Sequence, residues 1–484
     1  MRLLRDPAAS LGPWPALGAA LFIAALTAWR VAALGWAGTD LYTDESQYWF
    51  WSTDLAFGYF SKPPMIAGVI RLATELGGAE TPFWVRLPAP LFHAFGAGAV
   101  GLLGGAAFGR TVGALSAVVF ATLPGVGVGS IVISTDTLLL PFVALATLAW
   151  LRALERPTDL RAVALGAAVG VGLYAKYAAL YPVIGFALAA LVSSRLRLRG
   201  RAAAVAAAVA LLIATPHLVW SVANGFVTAA HVAADAKASA SLAWDDLAEF
   251  LGAQFGVFGP ILFPAWLAAL ALAARGGATR AEAALAWASA PILAIVCAQA
   301  LRGGAEPNWA AAAYAAATPL ATALLLARAP RLLTASLILH GVLALAIPAI
   351  PAAPTLIQGP DGRPVLRRLL GREELARDIE AAARAVDLSV IVADNRGIVS
   401  DLLYVLRDEP IAVFAPRPEG APRNHFEMAV PLPADLGEPL LFVTGAQGEP
   451  TLDGWRPAEF VAGFAPEDGF FAGRRLSAWR MTPE

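Results

Sequence analysis

Charge is what this chain most lacks: 15% of its 484 residues are Asp, Glu, Lys or Arg, against about 25% in an ordinary soluble protein. The shortage is uneven. Residues 1–350 hold 37 charged side chains, whereas the 134 residues of 351–484 hold 34. That division excludes a plain cytosolic enzyme and a disordered chain. Cysteine is nearly absent as well. Cys297 stands alone in an apolar stretch, which excludes a disulfide framework and a Cys-based metal site. A net charge of -1 argues against nucleic acid as a partner. No phosphate-cradling glycine loop, nucleophile elbow or short-period repeat occurs, and the many glycines fit close helix packing.

What is present are long apolar runs bounded by single charges. About 20 apolar residues cross a bilayer, and the charge-free gaps predict a polytopic α-helical membrane protein of about eleven spans over residues 1–350. A soluble α/β domain is expected over 351–484. The first run, Pro15–Gly38, follows Arg2 and Arg5 but is too long for a signal-peptide core, carries Arg30, and is read as a retained span. Alternate connecting segments hold fourteen basic residues against four acids, so they are assigned to the cytoplasm. The opposite face carries Asp44, Glu45, Asp136 and Glu306 and the two long loops, 38–82 and 224–246. This places the N-terminus in the cytoplasm and the C-terminal domain outside. Long loops on one face of a rigid scaffold are the usual home of binding and catalysis.

The first outer loop is the most informative segment. In Tyr42-Thr43-Asp44-Glu45-Ser46-Gln47-Tyr48-Trp49-Phe50-Trp51, Thr43 suits an N-cap and the two acids suit the first helical turn. Tyr48, Trp49 and Trp51 then form an aromatic face expected to anchor this helix at the membrane surface. Further on, Gly58-Tyr59-Phe60-Ser61-Lys62-Pro63-Pro64 sets a lysine before a rigid turn. A carboxylate able to take a proton from an attacking hydroxyl, and a cation able to stabilise a departing phosphate, suit group transfer.

With these residues in view, the loop resembles that of the family 39 glycosyltransferases. These are GT-C-fold enzymes related to dolichyl-phosphate-mannose protein mannosyltransferases and to the lipid A aminoarabinose transferase. Ser134-Thr135-Asp136-Thr137 is similar to the family's second acidic position, and Glu306-Pro307-Asn308-Trp309 with Tyr314 is similar to a later element. The resemblance implies a polyprenyl-phosphate-linked sugar donor, a lipid, glycan or protein acceptor, and inversion at the anomeric carbon. It implies a multi-pass protein of a bacterial inner membrane, with its soluble domain in the periplasm. Asp44 falls on the catalytic base, Glu45 on its partner, and Lys62 on a donor-phosphate contact. Lys176 and Arg302 are further phosphate candidates, and Tyr48, Tyr59, Asp136, Asn308 and Trp309 complete the candidate site. No cofactor is expected. Ser61 stands where the aminoarabinose transferase has Glu, so a metal ligand described there is missing, and aminoarabinose as the sugar is not supported. A transporter or flippase for a lipid-linked glycan is the rival reading. It is disfavoured because the polar residues gather in outer loops rather than at the bilayer midplane.

Other polar residues have plainer readings. Lys237 is expected to be solvated, Arg30 to snorkel or pair with an outer acid, and Arg86 to anchor a span. His93, His217, His231 and His340 lack metal-ligand spacing, and His425 lies in the soluble domain. There, helices are expected over Arg372–Val386 and Gly397–Arg407. Strands are expected over Leu388–Ala393, Pro410–Phe414, Leu440–Thr444 and Leu476–Met481. Asp394-Asn395-Arg396, at a strand end, is read as a loop cap.

Overall fold

The structure is a computed structural model that describes residues 14–235, 242–446 and 448–484, so Arg2, Arg5 and Lys237 lie outside the described residues. The chain forms two compact units. One comprises Met1–Gly35, Lys62–Ile66 and Arg86–Ala349; the other comprises Trp36–Ser61, Ala67–Val85 and Ile350–Glu484. Most of the first outer loop therefore belongs with the C-terminal residues, and Lys62 belongs with the membrane helices.

In the membrane unit, apolar runs become helices because only a helix satisfies its own backbone groups in lipid. Among the described residues, seven helices are long and apolar enough to cross: Pro15–Leu34, Pro82–Phe108, Thr135–Glu155, Gly200–Ala223, Arg280–Gly303, Pro307–Arg328 and Pro330–Ala352. An eighth arises if Trp244–Val257 and Leu262–Ala274, bent by 108°, count as one broken span. Other gaps in the charge pattern hold shorter pieces, Arg110–Thr122, Asp159–Ala175 and Tyr177–Val192. At about 1.5 Å per residue, 13 residues reach about 20 Å, short of a hydrocarbon core of about 30 Å. Charge-free gaps thus mark apolar helices of unequal length.

Two glycines fix how these helices meet. Gly259, at the bend, has φ +104°, and a Cβ there would come within 2.2 Å of the buried His340 ring. Gly185 lies against the helix Arg280–Gly303 so closely that a Cβ would meet the Trp287 carbonyl at 2.1 Å. The Ala-rich helix Ala311–Arg328 is enclosed along most of its length. Leu191, Leu211, Leu212 and Val219 are exposed, as lipid-facing side chains would be.

The second unit is built on a five-stranded sheet: β1 (Val390–Ala393), β2 (Ala412–Phe414), β3 (Leu440–Thr444), β4 (Trp455–Phe464) and β5 (Leu476–Pro483), in the order β2-β1-β3-β5-β4. β1 runs parallel to β2 and β3, with Val390 facing Ala412 and Ile391 facing Leu441; β5 and β4 add on antiparallel. β1 and β3 are buried throughout, and Val390, Val392, Leu440, Phe442 and Met481 form the core. Helices Arg372–Ala385 and Arg396–Val405 agree with the sequence reading to within two residues at each end. β4 does not appear in that reading. It carries Pro457 and Gly463 and two register shifts, which an edge strand tolerates and a strand pattern conceals.

Candidate active site

In the second unit the site forms where the loop helix Thr43–Thr53 meets the helix that follows β1. Glu45 is 1% exposed, and its Oε2 accepts from the Tyr42 backbone N–H at 2.9 Å. Its carboxylate thus caps its own helix, one residue earlier than Thr43 would have set the start. Asp44 points elsewhere. Its Oδ1 accepts from Arg396 Nη2, while Arg396 Nε donates to Gln47 Oε1 at 2.8 Å. Asp44 and Arg396 keep 39% and 40% of their side-chain surface exposed. The acid is therefore oriented on one side and open on the other.

Arg396 is held in place by the sheet. β1 has β2 on one side and β3 on the other, so its carboxyl end is the point where chain direction switches, the usual ligand end of such sheets. Asn395 caps the following helix by accepting from the N–H groups of Gly397 (2.9 Å) and Ile398 (3.3 Å). Arg396 is then its first helical residue. The strand-end triplet contains the expected cap and also a site residue that the sequence reading did not assign. Asp394 accepts from the Thr444 hydroxyl, and burial pushes its carboxyl above the usual range.

The aromatic face of the loop helix corrects one expectation. Tyr48, Trp49 and Trp51 are 4%, 4% and 1% exposed. They are covered by protein and do not anchor the helix at a membrane surface. Trp51 stacks on Tyr59 at 4.6 Å, and Trp49 meets Tyr404 edge-on at 5.0 Å. His425 sits against Phe50, Trp51 and Tyr59, and burial holds its imidazole down at about 3. An amphipathic pattern shows that a face needs covering without saying what covers it. Tyr59 ties the loop together, accepting from Ala56 N–H at 3.1 Å and donating to the Trp51 carbonyl at 2.9 Å. Burial pushes its hydroxyl up to about 12.

A second polar cluster lies in the membrane unit, where three helix ends converge. Ser134 caps the helix Thr135–Glu155, setting Asp136 in its first turn. Lys176 occupies an extended break (φ −164°, ψ 144°) after Asp159–Ala175, and Asn308 lies in the turn Pro307–Ala310. Lys176 Nζ donates to both Asp136 oxygens, at 2.7 and 2.9 Å, and Asn308 Nδ2 donates to Oδ2 at 2.7 Å. Lys176 and Asp136 are 22% and 14% exposed, so this ammonium is paired rather than drawn out to water. An ammonium has three N–H donors, and one remains for a ligand.

Lys62 is half-buried in the membrane unit, and Arg302 is exposed in the last turn of Arg280–Gly303. Trp309 packs against Phe250, Val296 and Ala300. The Tyr314 hydroxyl donates to Gln254, whose Nε2 bonds the Pro307 carbonyl at 3.2 Å and so steadies the turn that carries Asn308. Arg30 is 2% exposed and donates to the Ala121 carbonyl at 2.7 Å, so it neither snorkels nor meets an outer acid there. His217 Nε2 lies 2.7 Å from the Tyr177 hydroxyl, and His93 Nε2 lies 3.4 Å from that of Thr137. Among the described residues, no group of three or more His, Cys, Asp and Glu is placed to hold a metal ion.

Known proteins share this organisation. The sequence profile of the dolichyl-phosphate-mannose-protein mannosyltransferase family matches residues 61–220. The lipid A galacturonosyltransferase RgtD of Rhizobium johnstonii is 37% identical over 469 residues, 96% of this chain and 97% of that protein. Two crystal structures of ArnT from Cupriavidus metallidurans match with TM-scores of 0.65 in the apo state and 0.66 bound to undecaprenyl phosphate. Their identities are 17% and 16%, and each match covers 95% of this chain and 97% of that one. At such identities the likeness is one of fold.

Proposed function

The chain belongs to the family 39 glycosyltransferases of the GT-C fold, and from that premise we propose that it transfers a hexuronic acid from polyprenyl phosphate to a hydroxyl of a lipid A-type glycolipid. Its named relative transfers a galacturonosyl group to lipid A, which makes galacturonic acid the first sugar to test. The reaction takes place on the outer face of the bacterial inner membrane, with the N-terminus in the cytoplasm. The acceptor oxygen attacks the anomeric carbon, the bond to the phosphate oxygen breaks, and polyprenyl phosphate leaves with the electron pair. Attack opposite the leaving group inverts the anomeric centre.

The observation that carries this reading is Asp44, half-exposed and aimed by Arg396. An ordinary aspartate, with a pKa near 3.9, is a weak base toward a sugar hydroxyl. It takes the proton late, as the phosphate departs. Lys62, Lys176 and Arg302 are the cations assigned to the phosphate. Ser61 supports an acidic sugar, because a carboxylate at that position would repel a uronate and suit an amino sugar. No metal or other cofactor is assigned.

Lys62→Ala should raise the donor KM or Kd about tenfold or more while leaving the protein folded, since a charge-assisted contact contributes about 1.5–3 kcal/mol. Unchanged donor affinity would remove Lys62 from the site. The substrate assignment is tested by mass spectrometry of lipid A from cells with and without this chain. The expected difference is one added hexuronic acid; an unaltered profile, or another sugar, overturns it.

A further inference from the structure

The membrane unit contains a cavity of about 300 Å³ that the proposed reaction does not use. It lies where the helices Asp159–Ala175, Leu180–Val192 and Gly200–Ala223 come together. Ala203, Ala206, Ala207 and Ala210 line it at offsets of three, four and seven residues, one face of a helix, so it runs about 10 Å along that face. Larger groups and a close helix contact close its floor. Trp150 stacks on Phe186 at 4.2 Å, and a Cβ on Gly166 would come within 2.3 Å of the Ala206 carbonyl. Ala203 and Ala207 are exposed, so the cavity is a groove open along one side.

One end of this apolar groove carries charge. After Val192 the chain turns back through Ser194–Leu196, and Arg197 joins the lining. Its Nε donates to the Ala190 carbonyl at 3.1 Å, in the last turn of Leu180–Val192, where helix carbonyls lack partners of their own. The guanidinium is thus fixed by one N–H, while Nη1 and Nη2 have no partner among the described residues, and Arg197 is exposed. Arg195 and Arg199, two residues to either side, are also exposed and unpaired among the described residues. Arg201 is matched by Asp159 at 2.6 Å, and no acid occurs in the sequence between Asp159 and Asp235. A second apolar groove, on Thr135–Glu155 and Asp159–Ala175, also reaches two arginines, but both are engaged. There Arg152 pairs with Glu155 at 3.2 Å, and Arg161 Nη1 donates to the Arg152 and Arg156 carbonyls.

This combination narrows the occupant. Apolar walls between membrane helices suit a hydrocarbon chain. A guanidinium with both terminal nitrogens open suits a phosphate, whose oxygens can accept from the two together. Three positive charges without an acid disfavour a headgroup that carries an ammonium. Position separates this lipid from the donor. Lys176, assigned to the donor phosphate, precedes the 13-residue helix Leu180–Val192 and Arg197 follows it, so about 20 Å lies between them. The arginine end belongs to the basic segments assigned to the cytoplasm, and basic pockets between membrane helices on that side suit anionic lipid. We infer that this groove binds an anionic phospholipid of the cytoplasmic leaflet, with an acyl chain along Ala203–Ala210 and its phosphate on Arg197.

The test uses full-length protein purified in detergent, with bound lipid counted by native mass spectrometry. Dioleoyl phosphatidylglycerol should fill one saturable site at least tenfold more tightly than dioleoyl phosphatidylcholine, which has the same acyl chains. Arg197→Gln combined with Arg199→Gln should abolish that preference. Ala207→Phe, at an exposed position, should fill the groove and weaken phosphatidylglycerol at least tenfold, and it keeps the test open if the arginine variant fails to fold. Lys62→Ala should bind phosphatidylglycerol as the wild type does, so the result does not depend on the transfer reaction. Undecaprenyl phosphate distinguishes the two kinds of anionic lipid, and it should displace phosphatidylglycerol only at tenfold higher concentration or more. Equal binding of the two phospholipids, phosphatidylglycerol binding unchanged in the folded variants, or its loss in Lys62→Ala overturns the site. Displacement by undecaprenyl phosphate at lower concentration would give the groove to a polyprenyl chain and overturn it as well.

Discussion

Asp44→Asn is expected to lower kcat for sugar transfer by about 10²–10⁴-fold, the usual contribution of a positioned general base. Asparagine keeps the shape and leaves an amide oxygen to accept from Arg396, so the loop helix and its contact with the second helix should survive. What disappears is the ability to take the acceptor's proton. Purified variant, polyprenyl-phosphate sugar and glycolipid acceptor give the measurement, with donor binding followed in parallel. Donor affinity should stay near that of the wild type. Transfer above about a tenth of the wild-type rate would mean that another group takes the proton. Glu45 is the poorer replacement, because its carboxylate already bonds the Tyr42 backbone and is 1% exposed.

The contrast between these neighbouring acids explains what could be read from the chain alone. Two carboxylates after an apolar span mark a helix start, and that pattern located the loop. It could not distinguish a capping acid from an open one, because the difference lies in which side of the first turn each faces. Arg396, which settles that difference, is 352 residues away in sequence. The local signal for it was the triplet at the end of β1, where Asn395 was legible as a cap and Arg396 was not legible as a partner for Asp44.

In the membrane unit the charges were better guides. Lys176 stands out because a charge within an apolar stretch is costly, Asp136 because it lies in a charge-free region and matches the family's second acidic position, and Asn308 through the family resemblance alone; the structure joins all three through the Asp136 carboxylate. Helix lengths were less legible. A gap between charges gives an upper bound, and the breaks at Lys176 and Gly259 shorten the helices inside it.

Arg372→Met should destabilise the second unit by about 3–5 kcal/mol at pH 8. Arg372 Nη1 donates to Asp401 Oδ2 at 2.7 Å, with the side chains 1% and 4% exposed. Removing one partner strands the other in a buried site, where it must either stay charged without a partner or take up a proton. Arg372 is bound on several sides: its guanidinium lies 4.2 Å from the centre of the Phe470 ring, and Nε donates to the Arg368 carbonyl at 2.8 Å. Its backbone N–H and that of Glu373 donate to Asp40 at 2.8 and 3.4 Å, capping the helix Arg372–Ala385. Those backbone bonds persist in the variant, so the loss reports the side chain. Thermal unfolding of this unit should fall by about 10 °C. The pH dependence carries a sign. Burial pushes the Asp401 carboxyl up to about 7, and a carboxyl raised above its ordinary 3.8 stabilises the fold most below the ordinary value. That contribution drains away as pH rises from about 4 to about 7. Without the arginine the Asp401 proton should be held to still higher pH, so Arg372→Met costs less stability at pH 5 than at pH 8. Adding Asp401→Leu removes the stranded carboxyl and should recover most of the loss at pH 8. A double variant no more stable than Arg372→Met there would show that the arginine acts through its ring and backbone contacts rather than through Asp401.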